Sequence, residues 1–211
     1  MNIKNFELND ELYRDFIQGW YIEESLCDDI FKFLKENIKN KDISWIAIEE
    51  RGYSAINLDK FEKNIHDSYI KQLFLFFDLY KKQYGDIEYY KPLKITNPIH
   101  VQYWEPFKFY SKPHFECSPQ NLYRQMVFIT YLNDVTDAGE THFIHNDIKI
   151  NPKKGLTIFF PAGWTHYHKG IQTPQEKGII TGWVEFLPSF NRERYYYEED
   201  YVEESISASY E

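Results

Sequence analysis

A chain of 211 residues, 43% hydrophobic and 27% charged, has the composition of a soluble globular protein, long enough for one good core and short for two. Its net charge of -9 disfavours broad contact with a phosphate backbone, and the lack of any run of about 18 apolar residues excludes a membrane-spanning helix. Cys27 and Cys117 match no metal or redox spacing, so reduced thiols are expected, and with no basic-then-apolar leader the expected location is the cytoplasm.

From the N-terminus, residues 14–22 alternate enough for a first strand. Glu23-Glu24-Ser25 then opens an amphipathic helix carrying Leu26, Ile30, Phe33, Leu34 and Ile38, its acidic first turn suited to the helix dipole. A strand is expected over Ile43 to Ile48, followed by a loop at Arg51-Gly52-Tyr53-Ser54. Ile70, Leu73, Phe74, Phe77 and Tyr80 recur at helical spacing within 63–83, and Tyr84-Gly85 ends that helix. From Ile95 the pattern changes to short strands broken by Pro, Gly and Asn-Asp every 8 to 12 residues, which predicts a sandwich or barrel. The aromatic content of 19% fits bulky packing in such a core. Trp104 to Pro113, rich in Phe, Lys and Tyr, reads as a rim or an ordinary long loop. After Pro188 an acidic Tyr/Glu-rich tail begins, without an apolar period.

The chemistry gathers between His114 and Trp183. His114 and Glu116, two apart in an extended segment, leave one face together while Phe115 points away into apolar packing. A second imidazole, from His166 or His168, would complete two histidines and a carboxylate, a facial donor set suited to non-haem Fe(II) with positions left open for an oxoacid and O₂. Lys177, on the next apolar strand, is placed to neutralise the far carboxylate of that acid. The same donors also suit zinc, so a hydrolytic site and a non-catalytic metal-binding module, a sensor or particle component, stand as alternatives. There is no phosphate loop and no Gly-x-Ser-x-Gly elbow.

Gln102-Tyr103, His114-Phe115-Glu116, Arg124, Tyr131-Leu132-Asn133-Asp134, Ala138-Gly139-Glu140-Thr141-His142-Phe143, Phe160-Pro161 through His168-Lys169-Gly170, and Lys177 through Trp183 follow one another in a familiar order. In this the chain resembles the Fe(II)- and 2-oxoglutarate-dependent oxygenases of the prolyl-4-hydroxylase-like superfamily, above all its short phage and marine bacterial members. Glu116 stands where most prolyl hydroxylases have Asp, and Ala138-Gly139 where they have Gly-Gly.

The resemblance implies a mainly β fold with flanking helices (α+β). Its core would be a double-stranded β-helix, the cupin-like jelly roll, over 93–188, with N-terminal strand and helix support over 1–92 packed outside. Together these make a single domain, 1–188, followed by the tail 189–211. It implies hydroxylation of an unactivated C–H bond with release of succinate and CO₂, and it requires Fe(II), 2-oxoglutarate and O₂, with ascorbate as a candidate stimulant. His114, Glu116 and His168 become the metal ligands, His168 preferred to His166 because it stands nine residues before Lys177. Lys177 would bind the oxoacid, with Tyr103, Arg124 and Thr181 as further candidates for its pocket. Peptidyl proline is the substrate by analogy. Another protein side chain, a nucleobase or a small molecule remain open on fold alone.

Overall fold

The structure is a computed structural model, and it describes residues 4–5, 15–46, 52–88, 92–108 and 112–186. The chain opens with β1 (Gln18–Tyr21) and α1 (Glu24–Asn37), whose Leu26, Cys27, Ile30 and Leu34 form the buried stripe. No side chain of α1 caps its N-terminus; instead Gln72, from the second helix, accepts the Glu23 N–H at 3.2 Å. Next come β2 (Ser44–Ile46), β3 (Tyr53–Asn57) and α2 (Lys63–Gln83), which buries Tyr69, Ile70, Leu73, Phe76, Phe77 and Tyr80. The remaining strands are β4 (Leu93–Trp104), β5 (Arg124–Tyr131), β6 (Thr141–Phe143), β7 (Ile148–Ile150), β8 (Leu156–Pro161), β9 (His168–Gly170) and β10 (Lys177–Phe186).

These strands form two antiparallel sheets, one of seven in the order β1-β8-β5-β10-β4-β3-β2 and one of three in the order β7-β6-β9. Strand alternation gives the large sheet two apolar faces. Phe128, Phe159, Ile180 and Val184 join α1 and α2 on one side, while Val127, Ile129, Ile158 and Phe160 meet Phe143, Ile148 and Ile150 of the small sheet on the other. The result is a jelly-roll sandwich with both helices outside it. Among the described residues no helix is long and apolar enough to cross a membrane.

Several local expectations need correction. The first strand is shorter than 14–22, and of the strand expected over Ile43 to Ile48 only Ser44–Ile46 lies in a described strand. Tyr53 and Ser54 are not loop: they start β3, which pairs with β4. The Tyr-Ser-Ala-Ile-Asn run is too short and mixed to stand out as a strand, and its pairing partner fixes it instead. β4 is one strand of 12 residues running through Asn97-Pro98. Pro98 has no N–H to offer a ladder, and the register with β10 shifts there, between Thr181 and Trp183. Arg51, the middle of the 104–113 segment and the tail lie outside the described residues.

Phe159 joins the layers, fully buried against the rings of Trp20, Phe77, Tyr80 and Phe128. Phe159→Ala is expected to cost about 3–5 kcal/mol. In urea unfolding this appears as a lower midpoint with unchanged slope; an unchanged midpoint would show that the helices do not depend on this contact.

Candidate active site

His168 begins β9, and its backbone N–H and C=O each bond the backbone of His114, both at 2.9 Å. This two-way bridge brings residues far apart in sequence onto adjacent backbone. Glu116 is seated by its own N–H on Ala162 O at 3.0 Å. The donor atoms of His114, Glu116 and His168 all lie within 4.8 Å of one another, the one such metal-capable group among the described residues.

The carbonyls of two neighbouring residues orient both imidazoles. A carbonyl can only accept, so His168 Nδ1–H donates to His166 O at 2.8 Å and His114 Nδ1–H to Lys112 O at 3.1 Å. With each Nδ1 engaged by a carbonyl, Nε2 is the ring nitrogen left for the donor group, and His114 Nε2 lies 3.2 Å from Glu116 Oε1. Burial, with the neighbouring His114 charge, holds His168 down to about 4, so it is neutral near pH 7. Burial alone would raise Glu116, but its hydrogen bond to His114 and the positive groups of His114, His168 and Arg124 outweigh that and hold it at about 2. A carboxylate and two imidazoles suit a divalent cation.

The site opens into a cavity of about 680 Å³ whose wall is built from alternate residues of two paired strands. Lys177, Ile179, Thr181 and Trp183 of β10 face it, as do His100, Gln102 and Trp104 of β4. At about 3.3 Å per residue, Lys177 and Trp183 stand roughly 20 Å apart along one wall. Lys177 is 7% exposed, and its ammonium donates to Gly139 O at 3.1 Å. Gly139 is at φ +85, where an added Cβ would meet Val135 at 2.8 Å, so the Ala-Gly turn that aims this carbonyl needs glycine. Among the described residues no carboxylate pairs with Lys177, and burial holds its pKa down to about 8 against the opposing pull of Glu140. Beside it, Trp104 presents its ring 5.9 Å from the ammonium, and its buried indole N–H has no hydrogen-bond partner among the described residues. A buried cation and an orphaned donor in one corner fit a carboxylate of a bound organic acid.

The other expected site residues separate. Tyr103 faces the opposite way: its hydroxyl donates to Glu176 at 2.8 Å and its ring meets Phe31 of α1, because alternation along β4 turns Gln102 and Trp104, not Tyr103, to the cavity. Arg124 reaches the cavity, but its guanidinium bonds Glu116 Oε2 at 3.2 Å and lies 3.5 Å from Glu185 Oε1. Thr181 lines the wall with its hydroxyl turned to Phe128 O at 3.0 Å. His166 does not share the facing of His168, because Trp164–His166 is a 3-10 turn and the strand begins only at His168. Its Nε2–H donates to Asp15 O at 2.7 Å, away from the donor group. Phe115, expected in apolar packing, is 41% exposed at the cavity lip. Sequence reasoning missed Trp104 and Trp183, and also the buried Tyr131 hydroxyl, which bonds the cavity residue Thr141 at 2.7 Å. The signal available for all three was the parity of the strand.

Residues 99–185 match the model of the 2OG-Fe(II) oxygenase superfamily. No curated protein sequence matches the chain. Among solved structures, the viral collagen prolyl hydroxylase of Paramecium Bursaria Chlorella virus-1, in its 2OG complex, superposes with a TM-score of 0.64 at 20% identity, over 82% of this chain and 98% of that one. A Pseudomonas putida prolyl-4-hydroxylase gives 0.65 at 16% identity, over 83% and 95%. A Trichoplax adhaerens prolyl hydroxylase, bound to a peptide fragment of the hypoxia inducible factor oxygen degradation domain, gives 0.62 at 14%, over 82% and 84%. The matched segment contains the clustered donors and Lys177, and the fold around it is similar to that of these three enzymes.

Proposed function

We propose that the protein is an Fe(II)- and 2-oxoglutarate-dependent hydroxylase of prolyl-hydroxylase type, with His114, Glu116 and His168 as the iron ligands and Lys177 as the partner of the far carboxylate of 2-oxoglutarate. The observation that carries this reading is a group of two imidazoles and a carboxylate sharing one cavity with a buried cation that has no carboxylate partner among the described residues. Iron, 2-oxoglutarate and O₂ supply the oxidising chemistry, with succinate and CO₂ as coproducts. The protein's own part is to orient: His166 and Lys112 carbonyls fix the imidazoles, and Lys177 and the Trp104 N–H hold the acid. Residues 1–188 are taken as one catalytic domain, since β1 and β3 complete the sheet that carries the site.

The substrate we infer is a prolyl residue in a polypeptide, by analogy with the viral collagen and Trichoplax enzymes. The cavity is compatible with a neutral ring: Trp45, His100 and Trp183 form a chain of edge contacts at 5.3 and 5.6 Å along one side. The zinc-hydrolase and binding-module readings are not favoured by the family match.

Anaerobic addition of Fe(II) and 2-oxoglutarate is expected to give the weak visible charge-transfer band of the chelate, followed in air by succinate release with prolyl peptides. Absence of the band at saturating iron and oxoacid would overturn the assignment. His168→Ala should lose the band, whereas His166→Ala should keep it, with metal affinity or turnover reduced by roughly 10 to 100-fold at most; the reverse pattern would exchange their roles.

Lys177 supplies a pH test. Because the fold lowers its pKa from 10.5 to about 8, the unfolded chain binds more protons than the native one between those values. The anion-free protein therefore gains stability as pH rises through that window. The oxoacid requires the ammonium, so its affinity for Mn(II)-loaded protein should be flat below pH 8 and fall about tenfold per pH unit above it. Lys177→Met should weaken 2-oxoglutarate by about 2–5 kcal/mol, leave metal affinity unchanged and abolish the pH dependence. A flat wild-type profile over the same range would remove Lys177 from this role.

A further inference from the structure

Glu116 has three rotatable side-chain bonds and is not in a regular strand; its backbone is held by single bonds from residues 116 and 117 to Ala162 O. Left to itself, such a carboxylate would sample several rotamers, and ordering it costs entropy when a cation binds. Its Oε2 is held from the far side by two donors, Arg124 at 3.2 Å and the Trp183 indole N–H at 3.1 Å. Oε1 is thereby the oxygen left facing the imidazoles.

The donors are themselves braced. The Arg124 guanidinium carbon sits over the Trp183 ring, 3.5 Å from its centroid, and its Nε faces Glu185, its partner across the β5–β10 ladder. The edge of the His100 ring packs at 5.6 Å from Trp183, backed in turn by Trp45 at 5.3 Å. The stack therefore transmits the rigidity of the large sheet to an oxygen on a loop.

We propose that Arg124 and Trp183 form a clamp on Glu116 Oε2 that pre-sets Oε1 as a single-oxygen metal ligand. They are positioning residues that act through Glu116, and this rests on the metal-site reading above. The clamp assigns Arg124 to the carboxylate ligand instead of the oxoacid. It also excludes a geometry in which both carboxylate oxygens turn to the metal, so one more coordination position stays open to small molecules.

The test is Co(II) titration of the whole protein, with the d–d spectrum as readout, on a double-mutant cycle. Trp183→Phe keeps a ring under Arg124 but removes the N–H, and Arg124→Met keeps packing but removes the guanidinium. Each is expected to weaken Co(II) by roughly 10 to 100-fold while the urea midpoint of the metal-free protein stays near wild type. In a Glu116→Asp background the carboxylate is drawn back by one methylene and no longer reaches the indole, so Trp183→Phe should add no further loss. An equal loss in both backgrounds would mean that Trp183 acts by general packing and would overturn the clamp. Wild-type Co(II) affinity in both single variants, with His168→Ala abolishing binding, would overturn the clamp and leave the metal site standing. Wild-type affinity in His168→Ala as well would overturn the metal-site reading, and the clamp with it.

Discussion

The period of two along β10 is the constraint on which the rest depends. Gly178, Ile180, Gly182 and Val184 face the helices, and Lys177, Ile179, Thr181 and Trp183 face the cavity. The glycines let the outer layer close: a Cβ at 178 would meet Phe31 at 2.6 Å and one at 182 would meet Phe128 at 2.5 Å. A slip of one residue would carry the cation and the indole into the helical core and leave the cavity without either. β5 holds that register from Ile179 to Val184, and β4 pairs on either side of its shift between Thr181 and Trp183, so the site's long axis is set by backbone pairing before any side chain is chosen.

Around this axis the described residues bury a charge that none of them neutralises. Glu116 is matched by Arg124 and the imidazoles, whereas among the described residues Lys177 has a single neutral carbonyl. A buried, incompletely paired cation destabilises a fold, and such a group in a cleft is a mark of a binding role. The Trp104 N–H is in the same condition. The two defects share one wall, which is why together they carry more weight than either alone.

Much of the fold was legible in the sequence because its periods are long or clean. The helix over 63–83 is found at those bounds, since 21 residues of uninterrupted apolar spacing leave few alternatives. His114, Glu116 and Lys177 stood out by residue type and order, and all three line the one cavity. Illegible were features that depend on parity: Tyr103 and Trp104 are adjacent aromatics, and only the pairing of β4 with β10 decides which one enters the cavity. His166 and His168 could not be separated by facing, because a turn of 3-10 helix interrupts the strand between them. Arg124 read as a cation in search of an anion, and nothing local reveals that its partner is a residue eight positions earlier.

The two-way backbone bond between His114 and His168 also bears on how the protein is made. Synthesis delivers residues 114 and 116 well before 168, and two donors without the third form a weak, exchangeable chelator. The strand that carries His168 is three residues long and gains its place from β6 on one side and from His114 on the other. Until β9 is in place the chain holds two of the three clustered donors, so the full donor set belongs to the folded sheet and to no contiguous segment.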